Sequence, residues 1–146
     1  MKFGQPSEMT GESIVTVYFP VDPPTIFDLL CDPDAWDRIM GKDSPSIRST
    51  QSIGIGTQLI DRFGPFGIYK MTRTLTEYDR PRRFVRNLRG SIISDVEYNF
   101  EPTGEGTTVT VKFKTMKVPW PRTGKQFHES QREVFESLRS VLEKGQ

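Results

Sequence analysis

A chain of 146 residues is the size of one domain, able to bury about two-thirds of its unfolded surface. Its 20 Lys+Arg against 19 Asp+Glu leave a net charge of +1, which gives no reason to expect nucleic acid or an acidic membrane as the main partner. Cys31 is the only cysteine and His128 the only histidine, so a disulfide within the chain is impossible, His/Cys metal sites are nearly excluded, and no metal or cofactor is expected.

Residues 1–12 are polar, with Gly4, Pro6 and Gly11, and read as a loose lead-in to a single domain over 13–146. Ser13 to Phe19 is rich in β-branched and aromatic residues and predicts a strand. Asp22-Pro23-Pro24 then marks a helix start, with Asp22 as N-cap and Pro23 at the first helical position, and Ile26, Phe27, Leu29 and Leu30 form its apolar face. A second start at Asp32-Pro33-Asp34 leads to Trp36, Ile39 and Met40. Two short helices fit better than one, because Pro33 would remove a mid-helix hydrogen bond.

The middle of the chain predicts a run of strands: Ile47–Ser52, Thr57–Phe63, Ile68–Tyr78, Arg82–Leu88, Ile92–Glu101 and Thr107–Val118. Short polar turns separate them, which favours an antiparallel meander over crossover units. The last pair alternates best, with Val96, Tyr98 and Phe100 facing Val109, Val111 and Phe113. From Thr123 to about Lys144 a long helix is predicted, opened by a Thr123/Gln126 capping box and stopped near Gly145. At about 100° per residue, Phe127, Val134, Leu138 and Val141 fall along one line, flanked by Phe135 and Leu142. Gln131 falls in that apolar stripe. A buried amide without partners costs roughly 1–3 kcal/mol, so either the stripe faces something partly polar or Gln131 bonds to backbone across the contact. The element order is that of an α+β domain in which one sheet wraps one helix.

Several stretches together resemble the START-like superfamily, which includes Bet v 1 relatives and polyketide cyclases/dehydrases. They are Val21-Asp22-Pro23-Pro24 running on to Asp34-Ala35-Trp36, the Gly56-Thr57 turn, Thr76-Glu77-Tyr78-Asp79-Arg80-Pro81-Arg82-Arg83-Phe84, and the hairpin from Tyr98-Asn99-Phe100-Glu101-Pro102 to Thr107. The resemblance implies a helix-grip fold: a curved antiparallel sheet around the C-terminal helix, enclosing a hydrophobic cavity. Such a cavity would account for Gln131. The fold hosts lipid carriers, cyclases, receptors and co-chaperone modules, so the resemblance carries fold and not chemistry.

No nucleophile elbow, phosphate loop or dinucleotide fingerprint is present. His128 reads as a half-exposed helix histidine and Cys31 as a small packed thiol. Asp61 and Arg73 are strand residues that share faces with Leu59 and Phe63 and with Met71 and Leu75. Tyr69 and Tyr98 are possible hydrogen-bond donors in an aromatic wall. Arg80, Arg82, Arg83, Arg86 and Arg89 form the one basic cluster, read as a solvated edge, with alternation splitting them over both faces. Trp36, Trp120 and the segment Val118–Pro121 belong at the helix entrance or a cavity mouth.

The expected function is binding of a small hydrophobic or amphipathic molecule in an internal cavity. Its expected lining is Trp36, Leu59, Asp61, Met71, Arg73, Phe84, Tyr98 and Phe113, with Phe127, Gln131, Val134 and Leu138 from the helix. Two rivals stay open: a polyketide cyclase or dehydratase using Asp61, Arg73 or a tyrosine, and a protein-interaction module with a filled cavity. No membrane insertion is expected, since no run of about eighteen apolar residues occurs, and the lone thiol suits a cytoplasmic, reducing setting.

Overall fold

The computed structural model describes residues 11–32, 47–48, 53–63, 69–90, 92–117 and 124–144. The expected second short helix, Trp36, Trp120 and the capping box at Thr123 lie outside the described residues. The elements run β1 (Gly11–Phe19), α1 (Pro23–Cys31), β2 (Ile47–Arg48), β3 (Gln58–Phe63), β4 (Tyr69–Asp79), β5 (Arg83–Gly90), β6 (Ile93–Thr103), β7 (Gly106–Lys117) and α2 (Gly124–Lys144).

All pairings are antiparallel, in one sheet of order β1-β7-β6-β5-β4-β3-β2. The meander from β2 to β7 is what short turns dictate. The long-range decision is that β1 docks beside β7, in a register running from Gly11↔Thr115 to Phe19↔Thr107. The final hairpin has the expected register, with Val96↔Phe113, Tyr98↔Val111 and Phe100↔Val109. Its tight end needs Gly104, whose φ of 59° lies in the left-handed region that other residues rarely adopt. Thr107 Oγ1 donates to Val21 O at 2.8 Å and ties this hairpin to the segment entering α1.

Helix α1 starts as its sequence requires. Asp22 is extended, its carboxylate accepts from Thr25 N at 3.1 Å, and proline occupies the first turn, where no intrahelical partner is lost. Ile26, Phe27, Leu29, Leu30 and Cys31 are buried against the sheet. Outside, Arg80 grips Asp28 through two bonds of 2.7 Å, which fixes the β4–β5 turn to α1.

One face of the sheet supplies the core. Val15, Val17, Phe19, Phe84, Val96, Phe100, Val109, Val111 and Phe113 are buried together with α1 and with Phe135 and Leu138 of α2. Strand β4 obeys a two-residue alternation only as far as Leu75. A bulge between Leu75 and Glu77 then resets it, so that Tyr78 faces Phe27 in the core (ring centroids 5.5 Å) while Glu77 turns outward to Arg83. Without the bulge, strict alternation would bury a glutamate.

Candidate functional site

The face of the sheet on which α2 lies, against β1 and β7, continues across β6, β5 and β4. On β4, Met71, Arg73 and Leu75 point the same way. Across the ladder Arg73 stands opposite Leu88 and Leu75 opposite Arg86, and on the next pair Arg86 stands opposite Val96 and Phe84 opposite Tyr98. Tyr98, Arg86 and Arg73 therefore form a diagonal file across β6, β5 and β4, with about 7–8 Å between successive Cα positions.

Tyr98 and Arg86 are held by their surroundings. Phe84 is completely buried and stacks on Tyr98 at 4.3 Å. It also meets Phe27 edge-on at 5.3 Å and carries the Arg86 guanidinium over its ring at 5.2 Å. Arg86 is only 4 % exposed, and its Nη2 donates to the carbonyl of Cys31 at 2.8 Å. Cys31 ends α1, so the cation binds a carbonyl at the negative end of a helix, which is where an interior charge is tolerated. Arg86 thus lies inside, and β5 is an interior strand, not the solvated edge the arginine cluster suggested. The other arginines of the cluster are turned toward solvent and are matched: Arg80 to Asp28, Arg82 to Asp79, Arg83 to Glu77 and Glu97, Arg89 to Asp95.

Burial pushes the Tyr98 phenol pKa up, while the positive charges of Arg86 and Arg73 pull it the other way. Both guanidinium groups are therefore within electrostatic reach of the phenol. Tyr98 nevertheless keeps part of its accessible surface, as do Arg73 and Leu88 on the same face.

Helix α2 presents a different line from the expected one. Phe135 and Leu138 are buried at 3 % and 0 %, and Leu142 packs against the core, whereas Val141 is 38 % exposed and Val134 half-buried. The buried stripe runs His128, Gln131, Phe135, Leu138, Leu142, because α2 settles on β1 and β7, and Phe113 of β7 and Tyr98 of β6 receive Phe135 at 6.5 and 6.2 Å. Gln131 lies at the centre of that stripe and is half-buried, although its neighbours Phe135 and Leu138 have almost no accessible surface.

His128 is fixed by Thr115, whose Oγ1 lies 2.9 Å from Nε2, and rests against Phe113 with centroids 5.4 Å apart. Thr115 continues to Ser94 at 3.1 Å, giving a buried hydroxyl chain beneath the N-terminal part of α2. Burial pushes the imidazole pKa down. Nothing in the sequence marked this chain, because Ser94 and Thr115 meet only through the β6–β7 register.

Of the expected lining, Leu59, Phe84, Phe113 and Leu138 are packed away at 2 % exposure or less and Met71 at 9 %. Arg73, Tyr98, Gln131 and Val134 retain surface. Asp61 stands opposite Met71 in the backbone ladder; its side chain, and those of Tyr69 and Phe127, lie outside the described residues, as does Trp36. Among the described residues no group of His, Cys, Asp and Glu is placed to hold a metal ion, and no helix is long and apolar enough to cross a membrane.

A groove of about 630 Å³ lies on the opposite face of the sheet, among Glu12, Ile14, Arg83, Glu97 and Lys112. Its charges largely satisfy one another: Arg83 bridges Glu77 and Glu97 at 2.8 Å each, and Asn99 Nδ2 donates to Glu97 at 2.7 Å. A groove so matched is a solvated surface, and the gripped face is the better site.

The family model described as polyketide cyclase / dehydrase and lipid transport matches residues 12–143, nearly the whole domain. The chain belongs to this family. Among solved structures it is similar to Mll3558 from Rhizobium loti, with TM-score 0.76 and 18 % identity over 92 % of this chain and 98 % of that one. It is also similar to Ara h 8.0201, with TM-score 0.72 and 12 % identity over 92 % and 99 %. A third similar structure is an Aha1 dimer from Colwellia psychrerythraea, with TM-score 0.70 and 13 % identity over 93 % and 98 %. At these identities the likeness is one of fold: the polyketide cyclase / dehydrase and lipid-transport domain is a helix-grip fold, here as in its neighbours. No curated protein matches the sequence.

Proposed function

We propose that this domain binds a small hydrophobic or amphipathic molecule in a cavity between the gripped face of the sheet and α2. One observation carries the reading. Tyr98 is enclosed deeply enough for burial to push its phenol pKa up, and it is stacked on a fully buried phenylalanine, yet it keeps accessible surface. Surface kept by a residue so enclosed supports an internal space beside it. Gln131, half-buried in the buried stripe of α2, would line such a space from the helix side. A ligand there would gain about 25 cal/mol for each Å² of apolar surface removed from water, with the few polar groups fixing its orientation. The family description, which includes lipid transport, supports this class of ligand.

Native mass spectrometry of the protein as purified, beside a denatured sample, tests the reading. A reproducible extra mass of a few hundred daltons that is lost on denaturation is the expected result. A clean mass, together with failure of a hydrophobic fluorescent probe to enter the folded protein, overturns it.

A further inference from the structure

The two halves of α2 are held differently. Among the described side chains of the helix, none before Phe135 is fully buried. From its middle onward α2 is fixed by Phe135 and Leu138, whereas its first half is tied to β7 by the His128–Thr115 bond of 2.9 Å and by the contact of the ring with Phe113. Protonation does not break that bond. A neutral imidazole can accept from the Thr115 hydroxyl or donate to it; imidazolium donates from Nε2, Thr115 then donates to Ser94 at 3.1 Å, and Ser94 to the Lys114 carbonyl at 3.3 Å. What changes is the charge that the site must hold.

The surroundings do not favour that charge. On α2 the residues three and four positions from His128 include Lys125 and Arg132, both cations, while Glu129, next in sequence, does not share its face. From beneath, β7 presents Phe113 and Thr115 and turns Lys112 and Lys114 to the opposite face; β6 presents Ser94 and turns Asp95 away; β1 presents Ser13 and turns Glu12 away. Asp61, on β3, stands four strands from β7. An aromatic face attracts a cation, so Phe113 offsets part of the cost, but burial sets the net direction, which is down.

We infer that His128 is a proton-sensitive latch: neutral, it closes the first half of α2 on β7, and charged, it releases that half toward water while Phe135 and Leu138 keep the rest of the helix in place. A ring whose pKa is lowered in the closed state stabilises that state above its free value of about 6.5, and the stabilisation is lost as pH falls below it. A free ring of that pKa limits the change in opening between pH 7.5 and 5.5 to about tenfold. The released half carries Gln131, so on the cavity-binding reading the latch gates access to the ligand; the latch itself does not depend on that reading.

Backbone hydrogen exchange, corrected for its intrinsic pH dependence, tests the latch at pH 7.5 and 5.5 in the wild-type protein and in His128→Gln, whose neutral amide can still bond Thr115. In the wild type, protection over residues 128–134 should fall severalfold at the lower pH, up to about tenfold, while that over residues 138–142 holds; the variant should show no such fall. No fall, a fall shared equally by both halves, or the same fall in the variant overturns the latch. Because His128 is the only histidine, its ring protons titrate alone in an NMR spectrum, which needs no substitution. A pKa below about 6.5 is expected, and one at or above that value overturns the inference. Release of N-phenyl-1-naphthylamine, which stays neutral over this range, separates the latch from the cavity. Release that quickens as protection falls joins the two, release indifferent to pH overturns the gating, and no uptake at either pH counts against the cavity reading and not the latch.

Discussion

Replacing Phe84 by alanine is the sharpest test of how this core is put together. The side chain has no accessible surface, stacks on Tyr98 at 4.3 Å, and meets Phe27 and Phe100 at 5.3 and 5.8 Å. Truncating a fully buried phenylalanine costs about 3–5 kcal/mol, and the upper part of that range applies where the surroundings cannot collapse. Here they cannot collapse freely, because Arg86 is anchored to Cys31 and Tyr98 is braced by Phe135. Against a typical domain stability of about 5–15 kcal/mol, the variant would sit near the edge of folding. Phe84→Leu keeps most of the apolar burial and loses the ring contacts, so it should cost only about 0.5–1.5 kcal/mol. Urea unfolding followed by circular dichroism measures both, with the m-value checking that the denatured state is unchanged. A loss below about 1 kcal/mol for Phe84→Ala at unchanged m would refute the packed aromatic hub and return Phe84 to the cavity wall.

Three further outcomes follow from single contacts. The His128 imidazole has its pKa lowered by burial, so the fold favours the neutral ring. Its contribution is fully present above the ordinary histidine value of about 6.5 and is lost as pH falls below it, until the folded-state pKa is passed. The urea midpoint should therefore fall from neutral pH into the mildly acid range, and His128→Leu should flatten that slope. The Glu97 carboxyl lies below its usual range, first because of the Asn99 amide and then the Arg83 charge. Asn99→Ala should raise it toward the ordinary value in a carboxyl NMR titration, and stability now retained until pH falls through the folded pKa should be lost at a higher pH. At Gly106 an added Cβ would run into the carbonyl of Phe19 and the phenol of Tyr18. Gly106→Ala should cost about 1–3 kcal/mol in a thermal melt, while Glu105→Ala, in the exposed turn beside it, should be nearly neutral.

Much of this was legible in the chain because it depends on near neighbours. Asp22 and Pro23 start α1 through local geometry alone, the turns at Gly54–Gly56 and Gly104 divide strands wherever the chain is placed, and alternation in β6 and β7 fixed their facing and register. The overall wrapping of one sheet around α2 followed from that order of elements and from the resemblance it carried. What residues near in sequence could not decide was which side of an element meets which partner. Helix α2 has two overlapping apolar lines, through Val134 and Val141 or through Phe135 and Leu142. The second was chosen because Phe113 of β7 and Tyr98 of β6 offer aromatic surface to Phe135. Period-two counting failed in β4, where the bulge exchanges Glu77 for Tyr78 on the core side. Arg86 carried a signal, lying between Phe84 and Leu88 on one face, but a charge belongs inside only if something there accepts it. The acceptor, the Cys31 carbonyl, is 55 residues away in sequence. Local propensity and periodicity are properties of short segments, whereas the partner that makes a buried charge or a bulge affordable is supplied by chain that arrives from elsewhere, and only the folded structure brings it there.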